Sequence, residues 1–243
     1  MEPKGAASPR TAVVWAVLRA ELDRATGPLT VLDVGGGTGG FAVPLATAGH
    51  SVTVVDASPD ALAALTRRAA EAGVADRVRA VQGDGDALAE LVAPESADLV
   101  LCHSLLEVVD DPGTVVKALA ATLRPGGAAS VLVANRVAAV LSKAIGGHLA
   151  VATALLADPA GATGTRETLR RRFDLQSATT LLLAGGLVVE QTHGVRVVAD
   201  LLPGAVLEGQ HEALLAFELA ASALPPYRDV ATQLHLFARR PVR

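Results

Sequence analysis

Residues 31–40, VLDVGGGTGG, bring a carboxylate and a cluster of glycines to the end of an apolar run. Val31, Leu32 and Val34 supply the run. Gly35, Gly36 and Gly37 let a ligand approach backbone where a Cβ would collide, and Thr38 to Leu45 open a helix. A strand-to-helix turn of this kind binds nucleotide cofactors, because unpaired N–H groups gather at the start of the helix. The spacing Gly35, Gly37, Gly40 satisfies G-x-G-x-x-G, which alone suggests a dinucleotide dehydrogenase. Asp33, just before the first glycine, opposes a pyrophosphate and favours a cationic or zwitterionic ligand. S-adenosylmethionine (SAM), with its sulfonium and α-amino group, meets that requirement. A dinucleotide, or a turn that holds no ligand, stays open as an alternative.

Two later segments add acids at matching places. SVTVVDAS, residues 51–58, ends an apolar run at Asp56, about twenty residues past the glycines, where a carboxylate can take both ribose hydroxyls. VRAVQGDGDAL ends in Asp84, Gly85 and Asp86, where a carboxylate can accept from the adenine amine; a turn or capping role is the alternative for either aspartate. Three successive strand ends therefore carry acids, as an adenosyl cofactor requires.

These residues need strands and helices in alternation to hold them. With 243 residues and 51% hydrophobic content, the chain suits one α/β domain over 1–243 with a sizeable core. SADLVLCHSLLEVVDDP supplies a fourth strand, LRPGG at 123–127 precedes a fifth, and ATQLHLFARRP suits the last. PRTAVVWAVL predicts an amphipathic N-terminal helix, and the charges at Arg19, Glu21, Asp23 and Arg24 argue against a signal peptide or a span. The apolar stretch 131–157 is broken by Arg136, Lys143 and His148, short of the roughly 18 residues a span needs. A helical lid around 136–180 is the better expectation, with Gly146 and Gly147 as its hinge or as a helix end.

Together these segments resemble the class I SAM-dependent methyltransferases over residues 31–134. The resemblance implies a Rossmann-like, seven-stranded, mostly parallel sheet of order 3-2-1-4-5-7-6, with an antiparallel last strand and helices on both faces. PRTAVVWAVL, CHSLLEVVDDP, HGVRVVADLL and EALLAFELAASALPPY extend it, over nearly the whole chain, to the bacterial tRNA 5-carboxymethoxyuridine methyltransferase family, which methylates a carboxylate on the wobble uridine. That family implies cofactor contacts at Arg10, Gly35, Gly36, Asp56, Gly85, Asp86 and His103. Arg10 would reach the SAM carboxylate, and His103 would lie near the reacting methyl unless it is a satisfied structural histidine. Arg196, whose planar fork suits a carboxylate, is an acceptor-side candidate, with a surface arginine beside a strand as the alternative.

The chain departs from that family at 154–165, ALLADPAGATGT, which lacks the family's lysine-rich run. Arg166, Arg170, Arg171 and Arg172 restore basic charge on an expected helix, or form a solvated face. The net charge of −4 gives no global footprint for nucleic acid, so tRNA would need a local patch, and a small-molecule acceptor stays open. One cysteine, Cys102, excludes an internal disulfide and points to the cytosol, while six histidines without an H-x-x-x-H pair argue against a metal. A dehydrogenase and a non-catalytic partner of the same fold are the remaining alternatives. The oligomeric state is left open.

Overall fold

The computed structural model describes residues 8–161, 169–202 and 209–242. Seven strands form one sheet in the order β3-β2-β1-β4-β5-β7-β6. β1 (Thr30–Val34), β2 (Ser51–Asp56), β3 (Val78–Gln82), β4 (Ala97–His103) and β5 (Leu123–Ala134) run parallel. β7 (Gln233–Arg239) is antiparallel to both β5 and β6 (Val188–Val195). The expected fold is the observed one.

Burial on both faces explains the near-continuous apolar runs of the central strands. One face packs α1 (Ala12–Arg24), α2 (Ala42–Thr47) and α3 (Pro59–Glu71) against Val31, Val52, Leu99 and Leu101. The other packs α4 (Leu88–Leu91), α5 (Pro112–Thr122) and α8 (Leu175–Ala184) against Leu32, Val100, Ala129 and Leu236. Helix starts follow local chemistry. Ser58 and Asp111 cap α3 and α5 through their side chains, each followed by proline in the first turn, where a missing N–H costs nothing.

Four expectations change. LRPGG starts at the C-cap of α5 and lies inside β5 rather than before it: Ala97 pairs with Leu123, yet Leu99 pairs with Ala128, so the glycines and Pro125 bulge out of the ladder. The N-terminal helix is weakly amphipathic, since Val13, Val14, Trp15, Val17 and Leu18 are all buried. The segment 136–180 is not one piece. α6 (Arg136–Ile145) and α7 (Leu149–Ala157) form a hairpin with Gly146 and Gly147 ending the first helix, whereas α8 belongs to the sheet layers through buried Ala178 and Leu182. The expected arginine helix is absent over its described part: 169–172 is irregular, and Phe173 bridges to Asn135. Arg166 lies outside the described residues. Among the described residues, no helix is long and apolar enough to cross a membrane, and no group of three or more acidic, histidine or cysteine residues could hold a metal.

Candidate active site

The carboxyl ends of β1, β2 and β3 converge on a cleft of about 210 Å³, lined by Gly35, Asp56, Asp84, Gly85, Asp86 and Leu105 among others. Asp56 organises it. Its Oδ2 accepts from Gly37 N–H at 2.8 Å and its Oδ1 from Ser58 N–H at 2.9 Å, so one carboxylate ties the glycine turn to the start of α3. Gly35 N–H donates to Val55 O at 2.7 Å, and Leu105 packs against both Gly35 and Gly85.

Asp33 lies beneath the turn and is 3% exposed. A Cβ at Gly36 would stand 2.5 Å from Asp33 Oδ2 and 2.9 Å from Val54 Cγ1, so glycine is required there by packing. Burial, with Asp56 nearby, raises the Asp33 pKa from 3.8 to about 7. Gly40, the last glycine of the dinucleotide-like spacing, has nothing within 4 Å of an added Cβ. In a dinucleotide fingerprint that glycine allows close helix packing; here the constraint falls on Gly36 and Asp33 instead.

The remaining acids carry structural tasks as well. Asp84 accepts from Asp86 N–H at 3.1 Å and caps the turn 85–87. Asp86 accepts from Asp110 N–H at 3.2 Å and so pins the loop between β4 and α5 to the cleft. Five aspartates lie at or beneath the cleft, of which only Asp110 is paired with a cation that lines it, Arg170, and they suit a ligand with positive charge. Asp33 and Gly36 supply the test of fit for SAM: a buried carboxylate packed directly beneath backbone that a Cβ would displace.

A second cavity, of about 470 Å³, opens on the other side of the loop between β4 and α5. That loop is a partition: Leu105, Val108 and Val109 face the first cleft, Ser104 and Glu107 the second. α6 walls the second cavity with Leu141 and Ile145, and Arg172 and Arg196 line it. Arg196 has φ +60° and pairs with Asp200 Oδ2 at 3.1 Å. Its segment is held by Glu218 of α9 (His211–Ala221), a fully buried carboxylate accepting from the N–H groups of Val197, Val198 and Ala199 at 2.8 to 3.0 Å. Arg10, expected at the SAM carboxylate, does not line the first cleft; it reaches Asp200 Oδ1 at 3.4 Å from the N-terminal side.

His103 lines neither cavity. Its ring packs edge-on against Phe41, which stacks on Trp15, and its Nε2 meets Ser130 Oγ at 2.9 Å. Ser130 Oγ also meets His235 Nε2 at 2.8 Å, and His235 stacks on His193, so a polar seam crosses four strands. Burial pushes the His103 pKa down to about 4, which leaves the imidazole neutral at physiological pH.

Arg170 to Arg172 form no helix, and of the three only Arg170 is exposed. Arg170 pairs with Asp110, Arg171 donates to the carbonyls of Leu106 and Asp110, and Arg172 faces the second cavity. Sequence reasoning missed Glu107, Asp200 and Glu218. The first lay in a segment read only for its strand, and the other two become meaningful only through partners 19 to 21 residues away or on the N-terminal segment.

Asp33 is expected to make SAM binding depend on pH. Its unfolded pKa is 3.8 and its folded value about 7, so the folded chain binds more protons between them and the ligand-free protein loses stability as pH rises through that window. A bound cation favours the ionised form. SAM affinity is therefore expected to rise between about pH 5 and 7 in calorimetric titrations. Asp33→Asn should flatten that rise, and a wild-type affinity independent of pH would remove Asp33 from the cofactor site.

Known proteins agree with this geometry. Residues 31–127 match the family model described as a methyltransferase domain. The chain is 31% identical over 239 residues to tRNA 5-carboxymethoxyuridine methyltransferase of Escherichia coli (strain K12), covering 96% of this chain and 88% of that protein. It is 37% identical over 117 residues to ubiquinone biosynthesis O-methyltransferase of Xanthomonas euvesicatoria pv. vesicatoria, covering 48% of each. A solved SAM-dependent methyltransferase from Mesorhizobium loti shares the fold with a TM-score of 0.65 at 21% identity, over 96% of this chain and 100% of that one. The glycine turn packed over Asp33, the aspartate at the end of β2, the strand order and the similarity over 96% of the chain lead to one conclusion: the chain belongs to the class I SAM-dependent methyltransferases.

Proposed function

We propose that the chain methylates a carboxylate, and that this carboxylate belongs to a modified wobble uridine of tRNA. The cluster beside the second cavity carries the proposal. Arg196 and Arg10 share one aspartate, Asp200, so the group keeps one positive charge, the complement of a single carboxylate. The similarity to the Escherichia coli tRNA enzyme runs through this acceptor half, whereas the similarity to the ubiquinone enzyme covers only 48% of the chain.

SAM bound in the first cleft supplies an electrophilic methyl on a sulfonium, which departs as a neutral thioether. Asp33, Asp56 and the amides around Gly36 would hold the cofactor, and the 104–110 loop separates its cleft from the acceptor cavity. A carboxylate with a pKa near 4 is already ionised at neutral pH, so no side chain has to remove a proton. His103, neutral and bonded to Ser130, fits a reaction that asks no base of it. The chain's task is to orient the acceptor oxygen and strip its water, which Arg196 and the apolar wall of α6 serve.

A small-molecule carboxylate is the second reading, favoured by the engagement of Arg171 with backbone carbonyls and by the pairing of Arg170 with Asp110, which leave less unpaired cationic charge for a polynucleotide. The two separate in a methylation assay with SAM and tRNA carrying 5-carboxymethoxyuridine, followed by nucleoside mass spectrometry. We expect a methyl ester at the wobble uridine. Unmodified tRNA, together with turnover of small carboxylic acids, would move the function to the second reading.

A further inference from the structure

We propose that Glu107 selects the acceptor: its Oε2 accepts a hydrogen bond from an N–H that the acceptor carries beside its carboxylate, the uracil N3–H in the tRNA case. This inference rests on the function proposed above and adds to it which part of the base is recognised.

Glu107 is 1% exposed and lines the acceptor cavity. Its Oε1 accepts from Ala134 N–H at 2.9 Å, whereas its Oε2 is buried with no partner among the described residues. An unpaired buried carboxylate oxygen is costly, and native proteins seldom keep one without a ligand or water to complete it. Its position is fixed from behind. Glu107 O accepts from Arg170 N–H at 2.9 Å, and the Arg171 guanidinium holds the carbonyls of Leu106 and Asp110 on either side of the turn. Burial raises the Glu107 pKa, while its own backbone N–H, the Ala134 N–H and the nearby Arg172 oppose that rise.

The cavity thus presents two complementary demands. Arg196 asks for an anion and Glu107 asks for a donor. A simple carboxylic acid meets the first and leaves Oε2 unpaired. A uracil with a carboxylate on its C5 substituent meets both, because the ring edge that bears the substituent continues through O4 to the imide N–H. Discrimination then comes from a site group left unsatisfied by the wrong acceptor, the strongest form of selectivity a buried polar group provides.

The test compares an anticodon stem-loop RNA carrying 5-carboxymethoxyuridine with the same RNA methylated at N3 of that base. Wild type and Glu107→Gln are assayed for equilibrium binding in the presence of S-adenosylhomocysteine and for kcat/KM with SAM. Wild type should bind and turn over the N3-methylated RNA about 10- to 100-fold less well. Glu107→Gln can still accept from Ala134 N–H through its amide oxygen, and it should treat the two RNAs alike within about twofold. Equal handling of both RNAs by wild type, or discrimination undiminished in the variant, overturns the role of Glu107 and leaves the function standing. If wild type neither binds nor methylates either RNA, the proposed function falls and this inference with it. Should the variant fail to fold, the wild-type comparison decides alone.

Discussion

Gly36→Ala is expected to weaken SAM binding roughly 100-fold, about 3 kcal/mol, while the protein stays folded. The new methyl would sit 2.5 Å from Asp33 Oδ2, 2.6 Å from its Cγ and 2.9 Å from Val54 Cγ1. All of these atoms lie on or beside the central strands, where neighbouring side chains leave no room to give way. The Asp33 carboxylate must therefore rotate out of its place, and the turn that it supports must lift. Gly40→Ala provides the control, because nothing lies within 4 Å of its added methyl. Calorimetric titration with SAM should find Gly40→Ala within about twofold of wild type, since an alanine at a tolerant site changes stability by only about 1 kcal/mol. If the two variants bind alike, the packing of Asp33 under the turn has no part in cofactor affinity.

Arg196→Ala should lower kcat/KM on the carboxylate acceptor by about 100-fold and leave the SAM dissociation constant within about twofold. A hydrogen bond to a charged group is worth about 1.5 to 3 kcal/mol, and the variant loses more than that bond. Asp200 would keep its contact with Arg10 alone, so the positive charge that attracts the acceptor disappears. Arg196→Lys should recover part of the activity, since it restores the charge without the planar fork. The residue has φ +60°, a conformation that Arg, Lys and Ala all enter at similar cost, so the comparison isolates the side chain. Unchanged turnover in Arg196→Ala would assign the acceptor to another part of the cavity.

The glycine turn and the acids around it were legible in the sequence because their signals are local. Asp33, the glycines and Asp56 fall within about twenty-five residues, a span that a βαβ unit folds upon itself. The sheet order followed from resemblance and is the one observed. The acceptor half was less legible because its meaning lies in distant pairs. His103 gave no sign that Ser130 and His235 would engage it, since those partners lie 27 and 105 residues apart along the chain. Nor could charge patterning show that Arg171 turns inward onto backbone carbonyls. A run of arginines reads as a helix face until a loop with unpaired carbonyls comes to meet it. Asp86 combines both cases: its place at a strand end was visible, but its hold on the amides of Asp110 and Asp111 was not.

The imidazole and hydroxyl groups that cross β4, β5, β7 and β6 have a consequence for assembly of the sheet. His193 stands directly opposite His235, and Ser130 bonds His235 from the neighbouring strand, within a layer otherwise built of Leu, Val and Phe. A hydrophobic layer alone would accept β7 displaced by two residues, since the inward side chains would still face inward. Here such a slip would bring Gln233 or Phe237 to the place of His235 and strand the Ser130 hydroxyl among apolar neighbours. The polar groups therefore act as an alignment key for the antiparallel edge, admitting one offset of the last strand and penalising its neighbours.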